Sequence, residues 1–198
     1  MKQFVIASKN EGKIKEIKNA LHGLNLELLS LADFPDIPDI EEDGRTFEEN
    51  AIKKAKTVFE HTKITTFADD SGLEVEHLRN APGVYSKRFS GDNSTDELNN
   101  EKLLKELEGL DIDERRARFR CVISIYNPFI NELSFEGKCE GYIIDEPKGT
   151  NGFGYDPLFV PEGYHKTFAE LDLVTKNKIS HRGRALAHLR TYLEKYVS

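Results

Sequence analysis

Two adjacent carboxylates follow an apolar stretch in the first half of the chain. In ITTFADDSGLEVEHL (residues 64–78), the apolar start leads directly into Asp69 and Asp70, which Ser71 and Gly72 follow. Neighbouring side chains on a strand point to opposite faces, so both carboxylates can serve one site only if the chain turns there. Ser71 and Gly72 predict that turn, with one carboxylate facing a ligand and the other bracing the loop. A structural role for both is the alternative, and two like charges this close predict a cationic companion.

Further carboxylates are concentrated in residues 33–49, a segment with eight acidic residues and one arginine. Glu41, Glu42 and Asp43 lie near its centre. Magnesium prefers oxygen ligands and usually takes one or two protein carboxylates together with phosphate oxygens of a substrate. The pattern therefore predicts that Glu41 completes a metal site with Asp70. A flexible acidic surface is the alternative.

The segment SKNEGK, residues 8–13, lies between a predicted strand and a predicted helix. Backbone amides at a helix N-terminus, with a lysine at the edge of the turn, are suited to binding phosphate. The segment lacks the spacing of a Walker loop. A solvated turn with an asparagine cap is the structural alternative.

Glycines and aromatic rings alternate in TNGFGYDPLF, residues 150–159. Gly152 and Gly154 let the backbone approach a ligand closely, while Phe153 and Tyr155 offer flat faces on which a base could stack. Aromatic residues beside glycines also occur in ordinary bulged hairpins, which is the structural alternative for this segment.

Basic residues are dense in KNKISHRGRA, residues 176–185. Lys176, His181 and Arg182 could donate hydrogen bonds to phosphate or carbonyl oxygens, and arginine presents its donors in a fixed planar fork. The end of a basic helix is often simply solvated. Together with the four preceding segments, however, these residues predict a nucleotide pocket.

The predicted elements place these segments at the ends of strands and helices. Residues 2–7 (KQFVIA) predict a buried strand, after which Ile14, Ile17 and Leu21 recur at helical spacing. A short apolar run, LELLSL, follows this helix. Residues 32–45 (ADFPDIPDIEEDGR) are rich in proline and aspartate and predict an exposed loop.

A second helix is predicted to start at Thr46, which is spaced to form a capping box with Glu49. Residues 64–68 predict a buried strand with the two aspartates at its C-terminal end. In open α/β sheets, ligands bind beyond the carboxyl ends of the strands. A third helix is predicted to begin after Ser94 or Thr95.

Two antiparallel strands are predicted next, at RFRCVISIYNP (residues 118–128) and ELSFEGKCEGYII (residues 132–144). Gly137 and Gly141 predict bulges or close backbone approach in the second of them. The last helix is predicted to begin near residues 176–180 and to run through RALAHLRTYLEKYV. Together the elements predict an α/β fold, with a mixed central sheet flanked by helices and two lobes around a groove.

Composition limits the classes of protein that remain. The 198 residues, with 38% hydrophobic and 32% charged side chains, fit one large domain or two small lobes of a soluble globular protein. The N-terminal apolar run is too short for a signal peptide or a membrane span, which predicts a cytoplasmic protein without a membrane partner. Cys121 and Cys139 are predicted to be reduced packing residues.

The formal net charge of −7 argues against a nucleic-acid polymer as the partner, because phosphate backbones require a broad cationic face. Residues 166–198 carry seven Lys or Arg against three Asp or Glu, a local balance of +4. Charge is therefore segregated along the chain, and small anions remain possible ligands.

Six motifs in this order resemble those of the inosine and xanthosine triphosphate pyrophosphatase family. They are SKNEGK, EEDGRTFEENA, ADDSGL, APGVYSKRFSG, GFGYDP and SHRGRAL, and they extend over nearly the whole chain. Relatives in that family vary at the positions of Ser8 and Lys9 but keep those of Asn10 and Lys13. The resemblance implies a single nucleoside-triphosphate pyrophosphatase domain, residues 1–198, with a nucleotide-binding cleft between its two lobes.

The family resemblance further implies a cytoplasmic, magnesium-dependent homodimer that hydrolyses noncanonical purine nucleoside triphosphates to the monophosphate and pyrophosphate. Such a hydrolase removes deaminated purines, carried by inosine, deoxyinosine and xanthosine triphosphates (ITP, dITP and XTP), from the nucleotide pool. Asp70 is implied as the proton acceptor and a metal ligand, with Glu41 or its neighbour Glu42 as the second ligand. The implied substrate contacts are Ser8, Lys9, Asn10, Glu11, Gly12, Lys13, Ser71, Phe153, Gly154, Tyr155, Asp156, Lys176, His181 and Arg182.

The chemistry expected of this set is attack of a water molecule on the α-phosphorus, with pyrophosphate as the leaving group. A carboxylate bound directly to a metal loses basicity, so Asp70 is expected to position the water more than to deprotonate it, and Asp69 could share this task. Arg182 is expected to select the 6-oxo group that adenine lacks. A nucleotide-binding regulatory module without catalysis and a magnesium phosphatase releasing single phosphates are the two alternatives.

Overall fold

The structure of the chain is a computed structural model, and it describes residues 2–197. The α-helices in this range are α1 (Glu11–Ala20), α2 (Phe47–Thr62), α3 (Asp96–Glu106), α4 (Leu173–Ile179) and α5 (His181–Val197). The strands are β1 (Lys2–Ile6), β2 (Leu26–Ser30), β3 (Thr66–Val75), β4 (Ala81–Pro82), β5 (Arg116–Asn127), β6 (Asn131–Ile143) and β7 (Phe159–Pro161). No helix between residues 2 and 197 combines the length and the hydropathy needed to cross a membrane.

The strands belong to one sheet with the order β2-β1-β3-β5-β6-β7, and β4 pairs with β3. β1 runs parallel to β2, with Lys2 opposite Leu26 and Ile6 opposite Ser30, and it also runs parallel to β3. β4 is antiparallel to β3, and β7 is antiparallel to β6. Parallel and antiparallel pairs in one sheet, with helices between the strands in the sequence, confirm the predicted mixed-sheet α/β fold.

The described chain divides into two compact units, in agreement with the prediction of two lobes. The first contains residues 2–70, 121–137 and 182–197, and the second contains residues 71–120 and 138–181. The chain therefore passes from one unit to the other within two of the predicted motifs, at the Asp70–Ser71 and His181–Arg182 peptide bonds.

In the first unit, β1 and β3 bury both of their faces. Phe4 and Ile6 of β1 pack in one apolar cluster with Phe67 of β3 and with residues of α1 and α5. Val5 and Ala68 point the other way and pack in a second cluster with residues of α2. This alternation follows from the two-residue repeat of a strand. Helices α1 and α5 therefore cover one face of these strands, and α2 covers the other.

The second unit has a core rich in phenylalanine. The rings of Phe119 and Phe159 lie 4.8 Å apart, and those of Phe159 and Phe168 lie 5.0 Å apart. A Cβ atom on Gly141 of β6 would overlap the carbonyl oxygen of Val160 on β7. The close backbone approach predicted at Gly141 is thus confirmed.

Side-chain caps begin two of the helices where the sequence predicts them. Thr46 accepts the N–H of Glu49 at 3.1 Å at the start of α2. The Glu49 carboxylate accepts the N–H of Arg45 at 2.7 Å rather than that of Thr46, so the predicted capping box closes one residue earlier. Thr95, one of the two residues predicted to cap α3, accepts the N–H of Leu98 at 3.2 Å.

The predicted turn after the two aspartates is wrong. β3 does not end near Ala68 but continues through Ser71 and Gly72 to Val75. The apolar alternation resumes there, because Leu73 and Val75 are fully buried in the core of the second unit. Glu74 and Val75 then pair with Pro82 and Ala81 of β4, which extends the strand beyond the predicted turn.

The final helix begins at His181, next to the predicted start near residues 176–180, but a separate short helix that the sequence did not predict precedes it. Lys176 belongs to α4, and α5 begins at His181. Between them, Ser180 adopts an extended conformation with φ −67° and ψ 156°, and its N–H bonds the carbonyl oxygen of Lys176 at 2.8 Å. This conformation ends the helical hydrogen-bond ladder and redirects the chain at the motif.

The two cysteines are buried thiols, with exposed fractions of 0% for Cys121 and 3% for Cys139. Burial raises the pKa of the Cys121 thiol to about 12. A thiol with so high a pKa forms very little thiolate at neutral pH and is a poor nucleophile. The prediction that these residues serve in packing is confirmed.

Candidate active site

Asp69 on β3 lies at the centre of a buried ion-pair network in the first unit. Lys13 Nζ, from the first turn of α1, lies 3.0 Å from Asp69 Oδ2. Arg182 Nε, near the start of α5, lies 3.2 Å from the same oxygen, and Arg182 Nη1 lies 2.6 Å from Glu16 Oε2. Asp69, Arg182 and Glu16 are exposed by only 2%, 2% and 5%. Two cations therefore balance two anions, as burial of charge requires.

Asp70 is held by α2 instead. Lys54 Nζ donates to Asp70 Oδ1 at 3.0 Å and to Glu42 Oε1 at 2.9 Å. The same ammonium donates to the main-chain oxygen of Asp69 at 2.7 Å. Asn50, one helical turn before Lys54, donates to Asp70 Oδ2 at 3.1 Å. The lysine thus links the acidic loop to β3, and both oxygens of Asp70 accept hydrogen bonds from one helix.

The environments of the two aspartates shift their pKa values in opposite directions. Burial raises the pKa of Asp69, but the charges of Lys13, Arg182 and Lys54 outweigh burial and hold this pKa well below its usual range. For Asp70, burial outweighs the opposing charges of Lys54 and Lys13, and with the negative charge of Glu42 it raises the pKa. A carboxylate with a raised pKa is the better general base, while Asp69 stays ionised as a fixed anion.

The N-terminal turn is stabilised by its own side chains. Ser8 Oγ accepts the N–H of Asn10 at 3.2 Å, and Asn10 Oδ1 accepts the N–H of Lys13 at 3.0 Å. Asn10 is therefore the N-cap of α1, as in the structural alternative considered for this motif. Lys9 Nζ lies 2.6 Å from Asp39 Oδ1 in an exposed pair. The other two residues of the motif open the helix: Glu11 and Gly12.

Four predicted substrate contacts come together in the second unit. Asp156 Oδ2 accepts the N–H of Phe153 at 2.9 Å and the ammonium of Lys176 at 2.7 Å. Asp156 and Lys176 are buried, with exposed fractions of 3% and 4%. The ammonium of Lys176 also lies 5.1 Å from the centroid of the Phe153 ring. Gly154 follows Phe153 in the left-handed conformation, with φ +63°. The GFGYDP loop is therefore folded around a single carboxylate.

Tyr155 does not present a face for stacking, contrary to its prediction. Its ring is 4% exposed and belongs to the core of the second unit, and its hydroxyl donates to the carbonyl oxygen of Ser86 at 2.8 Å. His181 is also buried, with its ring stacked 4.6 Å from that of Phe119. Ser71 is half-buried on β3. Phe153, which is half-buried, is the aromatic residue of the loop that retains an accessible surface.

The acidic residues fit a magnesium ion that shares its coordination with a ligand. Among residues 2–197, no group of three or more His, Cys, Asp or Glu side chains is placed to hold a metal alone. Glu42 and Asp70 are nevertheless joined through one ammonium, and magnesium commonly takes two carboxylates together with phosphate oxygens. Glu41 is exposed, whereas Glu42 is half-buried. This geometry favours Glu42 as the second ligand, and Glu41 stays a prediction.

Sequence reasoning missed Lys54, Asn50 and Glu16. The signal for the first two lies in the pattern of α2, whose buried positions recur at helical spacing: Phe47, Asn50, Ala51, Lys54, Ala55 and Val58. Two polar side chains interrupt an otherwise apolar stripe, and buried polar groups require partners. Glu16 similarly lies beside Ile17 on the buried face of α1.

Comparison with known proteins agrees with the motifs. Residues 4–192 match the model of the Ham1 family. The dITP/XTP pyrophosphatase of Geobacter sulfurreducens is 53% identical over 193 residues, covering 98% of this chain and 97% of that protein, and the one from Bacillus licheniformis is 50% identical over 194 residues, covering 98% and 99%. A solved HAM1 protein from Coxiella burnetii superposes with a TM-score of 0.91 at 44% identity, covering 98% of this chain and 100% of that one. The chain belongs to the Ham1 family.

Proposed function

We propose that this protein hydrolyses the triphosphates of deaminated purine nucleosides to the nucleoside monophosphate and pyrophosphate. The observation that carries the proposal is the buried Asp70–Lys54–Glu42 cluster, in which Lys54 Nζ lies 3.0 Å from one carboxylate and 2.9 Å from the other. This cluster offers oxygen ligands for a divalent cation and, beside buried cations, a carboxylate with a raised pKa that can act as a general base. Hydrolysis of a phosphoric anhydride requires these groups.

The substrate class is taken from the relatives. Proteins that are 53% and 50% identical over nearly their full length carry the name dITP/XTP pyrophosphatase. The residues of the active-site network, which include Lys13, Asp69, Asp70 and Arg182, lie within the matched segment, residues 4–192. Hypoxanthine and xanthine, the bases of dITP and XTP, are deaminated purines, so we propose deaminated purines as the bases of the substrate.

In the proposed attack of water on the α-phosphorus, each aspartate has a different role. Asp70 orients the attacking water and accepts its proton, while a bond forms between the water oxygen and the α-phosphorus. The bond from the α-phosphorus to the bridging oxygen breaks, and pyrophosphate leaves with its electron pair. Asp69 remains ionised throughout, because Lys13 and Arg182 hold its pKa low, and it fixes the position of both cations.

Magnesium belongs to this proposal, with Asp70 and Glu42 as its protein ligands. When bound, it neutralises phosphate oxygens and favours departure of pyrophosphate. Lys54 keeps Glu42 and Asp70 together, since it donates to both. The ammonium of Lys13 and the positive end of the α1 dipole offer positive charge to phosphate.

The remaining substrate contacts are proposals carried over from the motifs. In the second unit they are Ser71, Phe153, Gly154, Asp156, Lys176 and His181. Phe153 has the exposed ring area for stacking on a base, and Lys176 lies under that ring in a charged pair. Two nitrogens of Arg182, Nε and Nη1, pair with the carboxylates of Asp69 and Glu16. Its proposed hydrogen bond to the 6-oxo group would therefore come from the third nitrogen of the guanidinium, Nη2.

Homodimeric assembly and a cytoplasmic location are also proposed from the family resemblance. Sedimentation analysis of the purified chain tests the first, with a mass twice that of the 22.6 kDa protomer as the expected result. Fractionation of cells producing the chain tests the second.

The activity is tested by hydrolysis of inosine triphosphate with magnesium in ¹⁸O-labelled water. Attack at the α-phosphorus yields monophosphate carrying the label and unlabelled pyrophosphate. Label in pyrophosphate would place the attack at the β-phosphorus, and diphosphate plus phosphate would identify a phosphatase. Absence of turnover across a panel of purine triphosphates would favour the regulatory module. Asp36→Asn, which removes an exposed acid of the loop at residues 32–45, is the control for Asp70→Asn.

A further inference from the structure

Helix α3 buries one polar side chain where a helix usually buries an apolar one. Asn99 is only 3% exposed in its first half, while Leu103 and the C-terminal cap Leu107 are fully buried further along. Burying an amide costs free energy unless each polar atom finds a partner. The first half of α3 therefore has a bonding role that apolar packing does not explain.

Two residues of α3 hold both polar backbone groups of Gly154. Asp96 Oδ2 accepts the N–H of Gly154 at 2.7 Å, and Asn100 Nδ2 donates to the carbonyl oxygen of Gly154 at 3.0 Å. Asp96 and Asn100 are four residues apart, so they lie on the same face of the helix one turn from each other. The glycine is thus fixed at two points by one rigid element.

Gly154 has a backbone conformation that needs to be held in place. Its φ of +63° lies in the left-handed region, although a Cβ there would meet no atom within 4 Å. Conformation rather than space therefore favours glycine, and glycine loses the most backbone freedom when it becomes ordered. Asp156 holds the N–H of Phe153 and the Tyr155 hydroxyl bonds Ser86, so the two bonds from α3 are what fixes Gly154 between these anchored neighbours.

The same helix also holds the preceding motif. Asn99 Oδ1 accepts the N–H of Ser90 at 2.8 Å, and Asn99 Nδ2 donates to the carbonyl oxygen of Lys87 at 3.2 Å. From the opposite direction, the Tyr155 hydroxyl bonds the carbonyl oxygen of Ser86. The APGVYSKRFSG and GFGYDP motifs are therefore joined to α3 and to each other within the second unit.

A purely stabilising role for Asn100 fits less well than a positioning role. Within the described chain, its Oδ1 atom is buried and has no hydrogen-bond partner. A buried acceptor without a partner costs stability. What the side chain does provide is the bond to Gly154, the residue next to Phe153.

We infer that Asp96 and Asn100 are positioning residues that hold Gly154, and through it the Phe153 ring, in the arrangement that accepts a purine base. The inference rests on the proposed function, since it assigns the base to Phe153. Preorganising the loop lowers the ordering cost at the moment of binding, so it contributes to affinity for the base and not to attack at phosphorus.

The experiment compares Asp96→Ala, Asn100→Ala and the double variant with Glu101→Ala, an exposed neighbour on α3, as the matched control. We expect the KM for inosine triphosphate to rise about tenfold in the double variant, with kcat changing by less than about twofold. Inhibition by inorganic tripolyphosphate, which has no base, is expected to stay as in the wild type. Asp96→Asn keeps an acceptor for the Gly154 N–H and is expected to restore the wild-type KM.

An unchanged KM in the double variant of a protein that hydrolyses inosine triphosphate overturns the inference. So does an equal loss of tripolyphosphate binding, because that result indicates general damage. If the wild type hydrolyses no purine triphosphate, the proposed function fails. Hydrogen exchange of the Gly154 amide then tests separately whether Asp96 holds this glycine. Faster exchange of this amide in Asp96→Ala, with the rate in Glu101→Ala unchanged, supports the positioning role of Asp96. Unchanged exchange in both variants overturns it.

Discussion

Asp69 and Asp70 are adjacent on β3, yet their carboxylates bond to different helices. Lys13 of α1 and Arg182 of α5 hold Asp69, while Lys54 of α2 holds Asp70. Because β3 continues straight through this point, its two-residue repeat sends the two side chains to opposite faces. The doubled carboxylate is therefore two sites with different partners, and only one of them is adjacent to the acidic loop.

This separation predicts different consequences for the same conservative change. Asp70→Asn is expected to lower kcat by about 10³-fold with little loss of stability, because the amide still fills the position. Asp69→Asn removes the counter-charge of Lys13 and Arg182 and is expected to cost about 3 kcal/mol of unfolding free energy. Urea denaturation and steady-state kinetics on both variants measure the two effects.

Near-normal turnover in Asp70→Asn would refute its role as the proton acceptor. Equal loss of stability in Asp69→Asn and Asp70→Asn would contradict the inference that the two carboxylates, on opposite faces of β3, differ in their contribution to stability. Asp36→Asn, at an exposed position, serves as the control for removal of one negative charge.

The sequence predicted the elements whose signals are local. The strand predicted at residues 2–7 is found at Lys2–Ile6. The predicted cap of α2 at Thr46 is confirmed, and so is Thr95, one of the two predicted caps of α3; each of these features depends on a few neighbouring residues. Burial of β1 on both faces likewise shows in its continuous apolar run. Such features need no knowledge of distant segments.

The errors arose where distant segments override local signals. Ser71 and Gly72 are turn residues by propensity, but the strand continues past them, because Leu73 is buried and the following two residues pair with β4. Lys54 was missed because its partners lie 12 and 16 residues away, at Glu42 and Asp70. Its position on the buried stripe of α2 was the available clue.

The structure changes the expected effect of removing Arg182. The sequence predicts that Arg182 selects the 6-oxo group, and on that basis alone Arg182→Ala would alter base discrimination more than stability. Because the guanidinium is 2% exposed and pairs with Glu16 and Asp69, the variant leaves two buried carboxylates with reduced compensation. We now expect a loss of about 3–5 kcal/mol of unfolding free energy, measured by chemical denaturation.

A matched control for that substitution is Arg184→Ala, because Arg184 is an exposed residue of the same helix. Its stability is expected to stay within about 0.5 kcal/mol of the wild type. If Arg182→Ala were as stable as this control, the buried network would not depend on the guanidinium. The ratio of inosine to adenosine triphosphate hydrolysis, measured on any folded variant, tests the role at the 6-oxo group separately.

The raised pKa of Asp70 predicts the acidic limb of the pH profile. As a base, Asp70 must be ionised, so kcat/KM falls as the pH drops through its pKa, and burial places that limb above the usual aspartate range. The negative charge of Glu42 also raises this pKa, so Glu42→Gln is expected to move the limb to lower pH. Asp43→Asn, which removes an exposed charge paired with Lys53, is expected to leave it in place. If the acidic limb did not move in Glu42→Gln, its assignment to the titration of Asp70 would be wrong.

Lys54 and a divalent cation are expected to compensate the same pair of carboxylates. Burial opposes the charge of Lys54, but Asp70, Glu42 and Asp69 outweigh it and raise the pKa of the ammonium, so the cation persists at neutral pH. Lys54→Met leaves Glu42 and Asp70 as uncompensated like charges, and magnesium is then expected to raise Tm more in the variant than in the wild type. Lys53→Met, which breaks an exposed pair at 2.6 Å, is the control. An equal rise in Tm for all three proteins would show that magnesium does not bind between these carboxylates.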